Sequence, residues 1–364
     1  MGIYMGNITK NDNLTKAKTA RNDEFYTQYV DIEKEIEAYL DYDPDVFRDK
    51  VVLLPCDDPE WSNFTLYFAQ NFSRLGLKKL ISTSYAHTSK RLGCAYRPSL
   101  FEKSSPQFEK NKSKECGKFF ELKNDIGKDS TVDIQNIKWR YLKGDGDFRS
   151  DEVKNLRDSA DVIITNPPFS LFREFIAWIM EGQKKFAIIA NKNCVTYKEV
   201  FPLIKENRLW SGRTEWSGGM WFETRYDDVD KVVNGINMKN IPSIWITNIE
   251  HGRRHKPLQL MTMEDNKRHN VRIIGRNAYE QYDNYDAIEV PFVQAIPSDF
   301  NGTMGVPISF LDKYNPQQFN IVGATESEGR GFSNGLWLPT SKVAQPLLDG
   351  NKIYKRIFIR HISF

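Results

Sequence analysis

Asp161-Val162-Ile163-Ile164-Thr165-Asn166-Pro167-Pro168-Phe169 is the stretch on which the reading of this chain turns. The β-branched run predicts a strand that is apolar on both faces, as in a parallel sheet covered on each side. Two prolines end it at once, because neither has an N–H to give to a ladder. Apolar residues at helical spacing follow over 170–181, so strand, turn and helix stand in direct succession.

The same succession extends in both directions. Upstream, Lys50–Leu54 reads as a strand closed by Pro55-Cys56-Asp57-Asp58-Pro59, and Phe64, Tyr67, Phe68 and Phe72 form a helical stripe. Strands are expected at Leu77–Ser84 and Trp139–Leu142, with a helix around Val153–Arg157. Before the first strand, Ile32, Ile36, Tyr39 and Leu40 predict a helix that Asp43-Pro44 terminates. Downstream come a strand at Lys185–Ala190 and a helix over 197–206. Such alternation over roughly 150 residues predicts an α/β fold with a Rossmann-like, doubly wound sheet. Ligands of these sheets bind at the carboxyl ends of the strands, so the turns after the strands are where chemistry is expected.

Composition narrows the classes. The 364 residues carry 51 Lys+Arg against 48 Asp+Glu, a formal charge of +3, with 40% hydrophobic and 27% charged residues. These are globular proportions, and the balance neither requires nor excludes a nucleic-acid partner. No run approaches the roughly 18 apolar residues of a membrane span, and the N-terminal segment lacks the apolar core of a secretory signal. A cytoplasmic protein without membrane association is expected. Cys56, Cys94, Cys116 and Cys194 are scattered without a Cys-x-x-Cys pair, so neither a metal site nor a disulfide framework is expected. Charge is nonetheless uneven. Residues 87–118 hold eight basic side chains against three acidic ones, and 251–276 hold seven against two. Patches of this kind supply phosphate contacts.

The turn after the central strand carries a specific chemistry. An exocyclic amine on adenine is a poor nucleophile because its lone pair is delocalised into the ring. The side-chain oxygen of Asn166 and the main-chain carbonyl of Pro167 can accept both of its N–H groups, pushing the nitrogen toward a tetrahedral state. Pro167 and Pro168 hold that geometry rigid, and Phe169 can stack on the base. A target amine inside a duplex is reachable only if the nucleotide is flipped out. With a sulfonium methyl donor the leaving group is neutral, so no Ser-His-Asp or paired-carboxylate machinery is needed. Such a turn also serves adenine in RNA or a glutamine side chain in a protein. From another class, a catalytically inactive site-specific DNA-binding protein remains an alternative.

Asp23-Glu24-Phe25-Tyr26-Thr27-Gln28, Cys56-Asp57-Asp58-Pro59, Gly144–Ser150, Thr165–Arg173, Thr196–Val200, Tyr282–Ile288 and Met304–Ile308 stand in that order. Together they resemble the EcoRI-type DNA adenine-N6 methyltransferases, from about Asp23 to about Phe319. The resemblance implies a methyltransferase domain that uses S-adenosylmethionine and methylates adenine in a short sequence of double-stranded DNA. It implies Asn166, Pro167, Pro168 and Phe169 as the catalytic turn. It likewise implies Tyr26 and Thr27 in an N-terminal cofactor motif, Asp57 and Asp58 at the methionine part, and Asp147 and Phe148 at the cofactor's adenine. Two departures from the wider methyltransferase pattern stand out: the first turn contains no Gly, and Ser82-Thr83-Ser84-Tyr85 offers no acidic ribose ligand. Trp221 is a candidate for the second face of the flipped base, and Arg253 and Arg254 for DNA contact. The expected division is a flexible basic arm at 1–22, a methyltransferase domain at 23–250 with the basic insertion 87–118, and a target-recognition region at 251–364. A cognate restriction endonuclease is a functional rather than a physical partner in this reading.

Overall fold

The computed structural model describes residues 26–86, 103, 105–123, 138–224, 229–325, 331–333, 335–339 and 341–362. The arm 1–22, the segment Asp23–Phe25 and most of the insertion from 87 to 104 lie outside the described residues. In chain order the elements are β1 (Tyr26–Thr27), α1 (Tyr29–Tyr42), β2 (Val51–Leu54), α2 (Asn63–Gln70), β3 (Lys79–Thr83), β4 (Lys118–Lys123), β5 (Arg140–Tyr141), α3 (Asp151–Ser159), β6 (Val162–Thr165), α4 (Phe172–Glu181) and β7 (Lys185–Asn191). There follow α5 (Phe201–Lys205), β8 (Trp210–Ser211), β9 (Met220–Glu223), β10 (Lys231–Val233), β11 (Ile236–Ile241), β12 (Ser243–Thr247), α6 (Met263–His269), β13 (Ile288–Glu289), β14 (Met304–Pro307), β15 (Phe319–Ala324), β16 (Leu347–Leu348), β17 (Asn351–Lys352) and β18 (Arg356–His361).

The chain forms two compact units. The first runs up to Ile36 and includes Asp45–Ala190 and Gly219–Pro242; the second comprises Glu37–Pro44, Asn191–Gly218 and the chain from Ser243 onward. At the heart of the first unit β2 lies parallel between β3 and β6, and β6 lies parallel to β7. Both β2 and β6 are buried along their whole length, as their uniformly apolar sequences require. A hydrogen bond from Val51 N to Asp161 Oδ2 (2.8 Å) sets the two strands side by side at their start. Helix α2 begins at Ser62, whose hydroxyl accepts from Phe64 N, and α3 at Ser150, which accepts from Val153 N. Helix α4 buries Phe172, Phe175, Ile176 and Ile179, one face at helical spacing.

The sheet is mixed rather than wholly parallel. Strand β4, which the alternation of elements did not announce, runs antiparallel to β3 with Ser82 opposite Phe120, and β5 continues antiparallel beyond it. The helix expected over 197–206 shrinks to α5, because residues 192–196 take a 3-10 turn capped by the Asn191 side chain and Pro202 supplies a helix start. A second, antiparallel sheet orders β1-β9-β11-β10.

In the second unit β8 pairs antiparallel with β12, and a four-stranded sheet orders β13-β14-β18-β15. Its core gathers Tyr282, Tyr285, Leu336 and Phe358. The Tyr282–Ile288 segment is scaffold here. Asn284 Nδ2 donates to the carbonyls of Val343 and Gln345 (both 2.8 Å), and its Oδ1 accepts from Leu347 N (2.9 Å). Gly305 interlocks with it, since a Cβ there would come within 2.3 Å of the Tyr282 hydroxyl. No helix among the described residues is long and apolar enough to cross a membrane.

Candidate active site

Strand β6 delivers Thr165, buried, to the edge of the turn, where its hydroxyl donates to Asp57 Oδ2 at 2.6 Å. Asn166 follows half-buried, then buried Pro167 and half-buried Pro168. Pro168 is extended (φ −60°, ψ 121°), and its carbonyl accepts from Leu171 N at 3.0 Å, which starts the 3-10 turn Phe169–Leu171. The four residues are thus fixed by two proline rings and a hydrogen-bonded turn. The half-buried Phe169 ring meets Phe222 of β9 edge to face, with centroids 6.3 Å apart and planes at 83°. Trp221 lies on the opposite face of β9, where Lys231 Nζ sits 3.6 Å from its ring centre. Phe222, the neighbour of the Trp221 singled out in the sequence, is thus an aromatic in contact with the turn.

The turn after β2 is tied to the same place. Asp57 is buried, and both carboxylate oxygens accept from hydroxyls, Ser62 Oγ on Oδ1 and Thr165 Oγ1 on Oδ2, each at 2.6 Å. Its main-chain N–H donates to Thr83 O (2.9 Å), and its carbonyl accepts from Ser82 Oγ. Burial pushes its pKa up to about 7 against those two hydrogen bonds, with the charge of Asp58 adding to the rise. Asp58 accepts from Glu60 N (2.8 Å) and pairs with Lys118 Nζ at 3.2 Å. Lys118 belongs to the stretch read as a DNA-facing insertion. It is instead buried at the head of β4, bonded also to Glu60 and placed 4.9 Å from the Trp139 ring centre.

Strand β1 closes this side. Thr27 pairs opposite Phe222, and its carbonyl accepts from Asn63 Nδ2 at 2.8 Å. Its hydroxyl is buried and has no hydrogen-bond partner among the described residues. Tyr26, beside it on β1, is half-buried. The turn Gly144–Phe148 packs against the ends of β3 and β4: Ala86 N donates to Asp145 O, and Gly117 N to Gly144 O. Backbones approach so closely that a Cβ on either Gly117 or Gly146 would fall 2.2 Å from Ser84 O. Phe148 anchors the turn in the core, edge-on to Phe175 and Trp178, while Asp147 stays half-exposed and accepts from Arg149 N, Nε and Nη2. Burial opposes its ionisation, but the hydrogen bonds and charge of Arg149 outweigh that and hold its pKa below the ordinary value.

In the second unit the Arg253-Arg254 pair is turned inward. Arg254 is 4% exposed, its guanidinium 3.6 Å from the Trp210 ring centre and 2.9 Å from Glu250, and burial lowers its pKa. Arg253 donates to the Arg213 carbonyl and pairs with Asp312 at 2.6 Å. The exposed lysines and arginines of this stretch are Lys256, Lys267, Arg268, Arg272 and Arg276.

Residues 13–362 match the family model described as adenine-specific methyltransferase EcoRI. The chain belongs to this family. It is 42% identical to the type II methyltransferase M.EcoRI of Escherichia coli over 87% of its own length and 90% of that protein. It is 33% identical to the type II methyltransferase M.MpnI of Mycoplasma pneumoniae, over 84% of each chain. No solved structure matches it. The protein is a DNA adenine methyltransferase acting on double-stranded DNA, and S-adenosylmethionine is its methyl donor. The resemblance seen in the motifs is a true membership. Sequence reasoning assigned no site contact to Ser62, Thr165, Lys118 or Phe222; the available signals were a capping Ser before an apolar stripe and the threonine that directly precedes Asn166.

Proposed function

We propose that the protein transfers the methyl group to the N6 amine of an adenine flipped out of a recognised DNA sequence, at the turn Asn166–Phe169. The observation that carries this reading is the position of that turn at the carboxyl end of β6, joined through Thr165 to the buried carboxylate that follows β2. Asn166 Oδ1 and the Pro167 carbonyl accept the two N–H bonds of the amine, drawing its lone pair out of conjugation. Phe169 stacks on the base, and Phe222 braces the Phe169 ring from its edge.

The residues present fit the donor. Thr27 brings a buried hydroxyl in need of a partner, and Asp57 and Asp58 bring carboxylates suited to a group that carries positive charge. When bound, S-adenosylmethionine supplies an electrophilic methyl on a sulfonium whose leaving group is neutral. Tyr26, Thr27, Asp57 and Asp58 hold the methionine end in this reading, and Asp147 takes the nucleoside end. Phe148, packed in the core, positions Asp147 rather than facing the ligand. The parallel set β3-β2-β6-β7, with antiparallel β4 and β5 at its edge, supports a doubly wound methyltransferase arrangement. Target recognition is assigned to 251–364, through exposed cations such as Arg272 and Arg276 rather than through Arg254.

Incubation with labelled S-adenosylmethionine and genomic DNA, followed by modified-base sequencing, tests the reading. N6-methyladenine within one repeated sequence, absent with Asn166→Ala, is the expected result. Full methylation by that variant would remove the turn from the chemistry.

A further inference from the structure

The hairpin β10–β11 of the first unit ends in an apolar tip. Val232, Val233 and Ile236 are 58%, 43% and 44% exposed. They flank Asn234 and Gly235, both at positive φ (51° and 79°), the two-residue turn that gives a narrow hairpin. A Cβ placed on Gly235 would meet no atom within 4 Å, so the turn stands clear of its own unit.

The register decides how the apolar groups are arranged. Val233 lies opposite Ile236, and Val232 opposite Asn237. Directly paired residues share a face and successive ones alternate. Val233 and Ile236 therefore cover one side of the blade, and Val232 covers the other. A patch built to dock on a protein surface needs an apolar face on one side only. A blade pushed between stacked bases meets an apolar ring on each side, and wedges of this kind use aliphatic side chains. Lys231, exposed at the foot of the hairpin, adds positive charge suited to a phosphate.

The blade is continuous with the catalytic turn. Strand β11 pairs with β9 so that Lys239 lies opposite Phe222, whose ring touches Phe169. From Lys239 to Gly235 the strand covers about 13 Å at 3.3 Å per residue. That is a reach of a few base steps from the base pocket.

We propose that the tip Val232–Ile236 inserts into the base stack of the duplex beside the target adenine and holds open the gap that the flipped nucleotide leaves. The inference rests on the base-flipping reading above and adds to it the element that acts on the stack. Extruding a base costs stacking and pairing energy, and the cost is least where the base is already unpaired. The hairpin therefore matters on an intact duplex and much less where the target has no partner.

The test uses the full-length protein with Val232→Ser, Val233→Ser and Ile236→Ser combined, all at exposed positions, and a duplex carrying its methylated sequence. Single-turnover methylation of the intact duplex should fall by about tenfold or more, and the rise in 2-aminopurine fluorescence at the target position should shrink with it. On the same duplex with an abasic site opposite the target, the rate should return to within about threefold of wild type, with S-adenosylmethionine affinity unchanged. Wild-type rates on the intact duplex would overturn the proposal, as would an equal loss on the abasic duplex. Loss of a concentration-dependent dimer in the variant, with methylation intact, would instead make the tip a contact between copies of the chain. Asn166→Ala serves as the separating control. Retained methylation there breaks the catalytic reading, whereas a retained 2-aminopurine signal without methylation leaves the insertion test valid.

Discussion

Thr165–Phe169 and Tyr282–Ile288 both carry the family resemblance, and the fold uses them in opposite ways. In the first, Thr165 is consumed internally while Asn166 and Phe169 remain half-buried at the end of a central strand. In the second, Asn284 is engaged through both ends of its amide, and Tyr282 and Tyr285 are fully packed. The second stretch serves a core, whereas the first, in the proposed reading, serves chemistry.

Substitution should separate them experimentally. The largest expected effect is a fall of ~10²–10³ in methylation rate for Asn166→Ala, by analogy with removal of one preorganised hydrogen-bonding group, with the denaturation midpoint unmoved. Asn284→Ala should show the reverse. It removes three hydrogen bonds made by a buried amide, to the Val343 and Gln345 carbonyls and from Leu347 N, so urea denaturation should register a loss of about 1–3 kcal/mol while methylation per folded molecule persists. A catalytic loss from Asn284→Ala without destabilisation would break the comparison.

Thr165→Val tests the hinge between the two carboxyl-end turns. Removing the donor to a buried carboxylate should weaken S-adenosylmethionine binding by about tenfold in a calorimetric titration, and Thr165→Ser should restore it. Asp57 adds a pH signature. Its folded pKa of about 7 lies above the ordinary 3.8, so the folded protein holds this proton more tightly than the unfolded chain does. The stability that Asp57 contributes is complete below the unfolded value and is lost as pH rises toward about 7, then level above it. The difference in unfolding free energy between wild type and Asp57→Asn should follow that course; a difference independent of pH would remove the buried carboxyl from the account. The smallest effect concerns the basic stretch. Combined Arg272→Ala and Arg276→Ala should reduce the slope of log affinity against log salt by about 1–2, whereas Arg254→Ala should leave it unchanged.

The parallel core was legible because its strands are short apolar runs ended by proline or acidic turns, a pattern that leaves little choice of structure. The turn at Asn166–Phe169 was legible as a turn for the same reason. What escaped was set by contacts between distant residues. Nothing local marks Lys118–Lys123 as an antiparallel strand, since its alternation is broken and its pairing partner lies beyond the insertion. The choice between Trp221 and Phe222 depends on which face of β9 meets Phe169, and register, which sequence leaves open, decides that. Arg253-Arg254 read as a surface cation pair because charge usually sits in water; Trp210 and Asp312, from other parts of the chain, and Glu250, four residues before Arg254, draw it inward.

The close crossing at Ser84, Gly117 and Gly146 bears on how this protein can vary. Ser84 N donates to Lys118 O and Lys118 N to Ser84 Oγ, so the chain leaves and rejoins the sheet at one point. Closure entropy for the intervening segment grows only by about 0.6 kcal/mol for each doubling of its length. The two glycines act as a clasp. A segment of another length or sequence between Ser84 and Lys118 should leave the turns at Asp57 and Asn166 in their places, which makes it a natural position for grafting a foreign loop and asking whether the DNA sequence preferred by the enzyme moves with it.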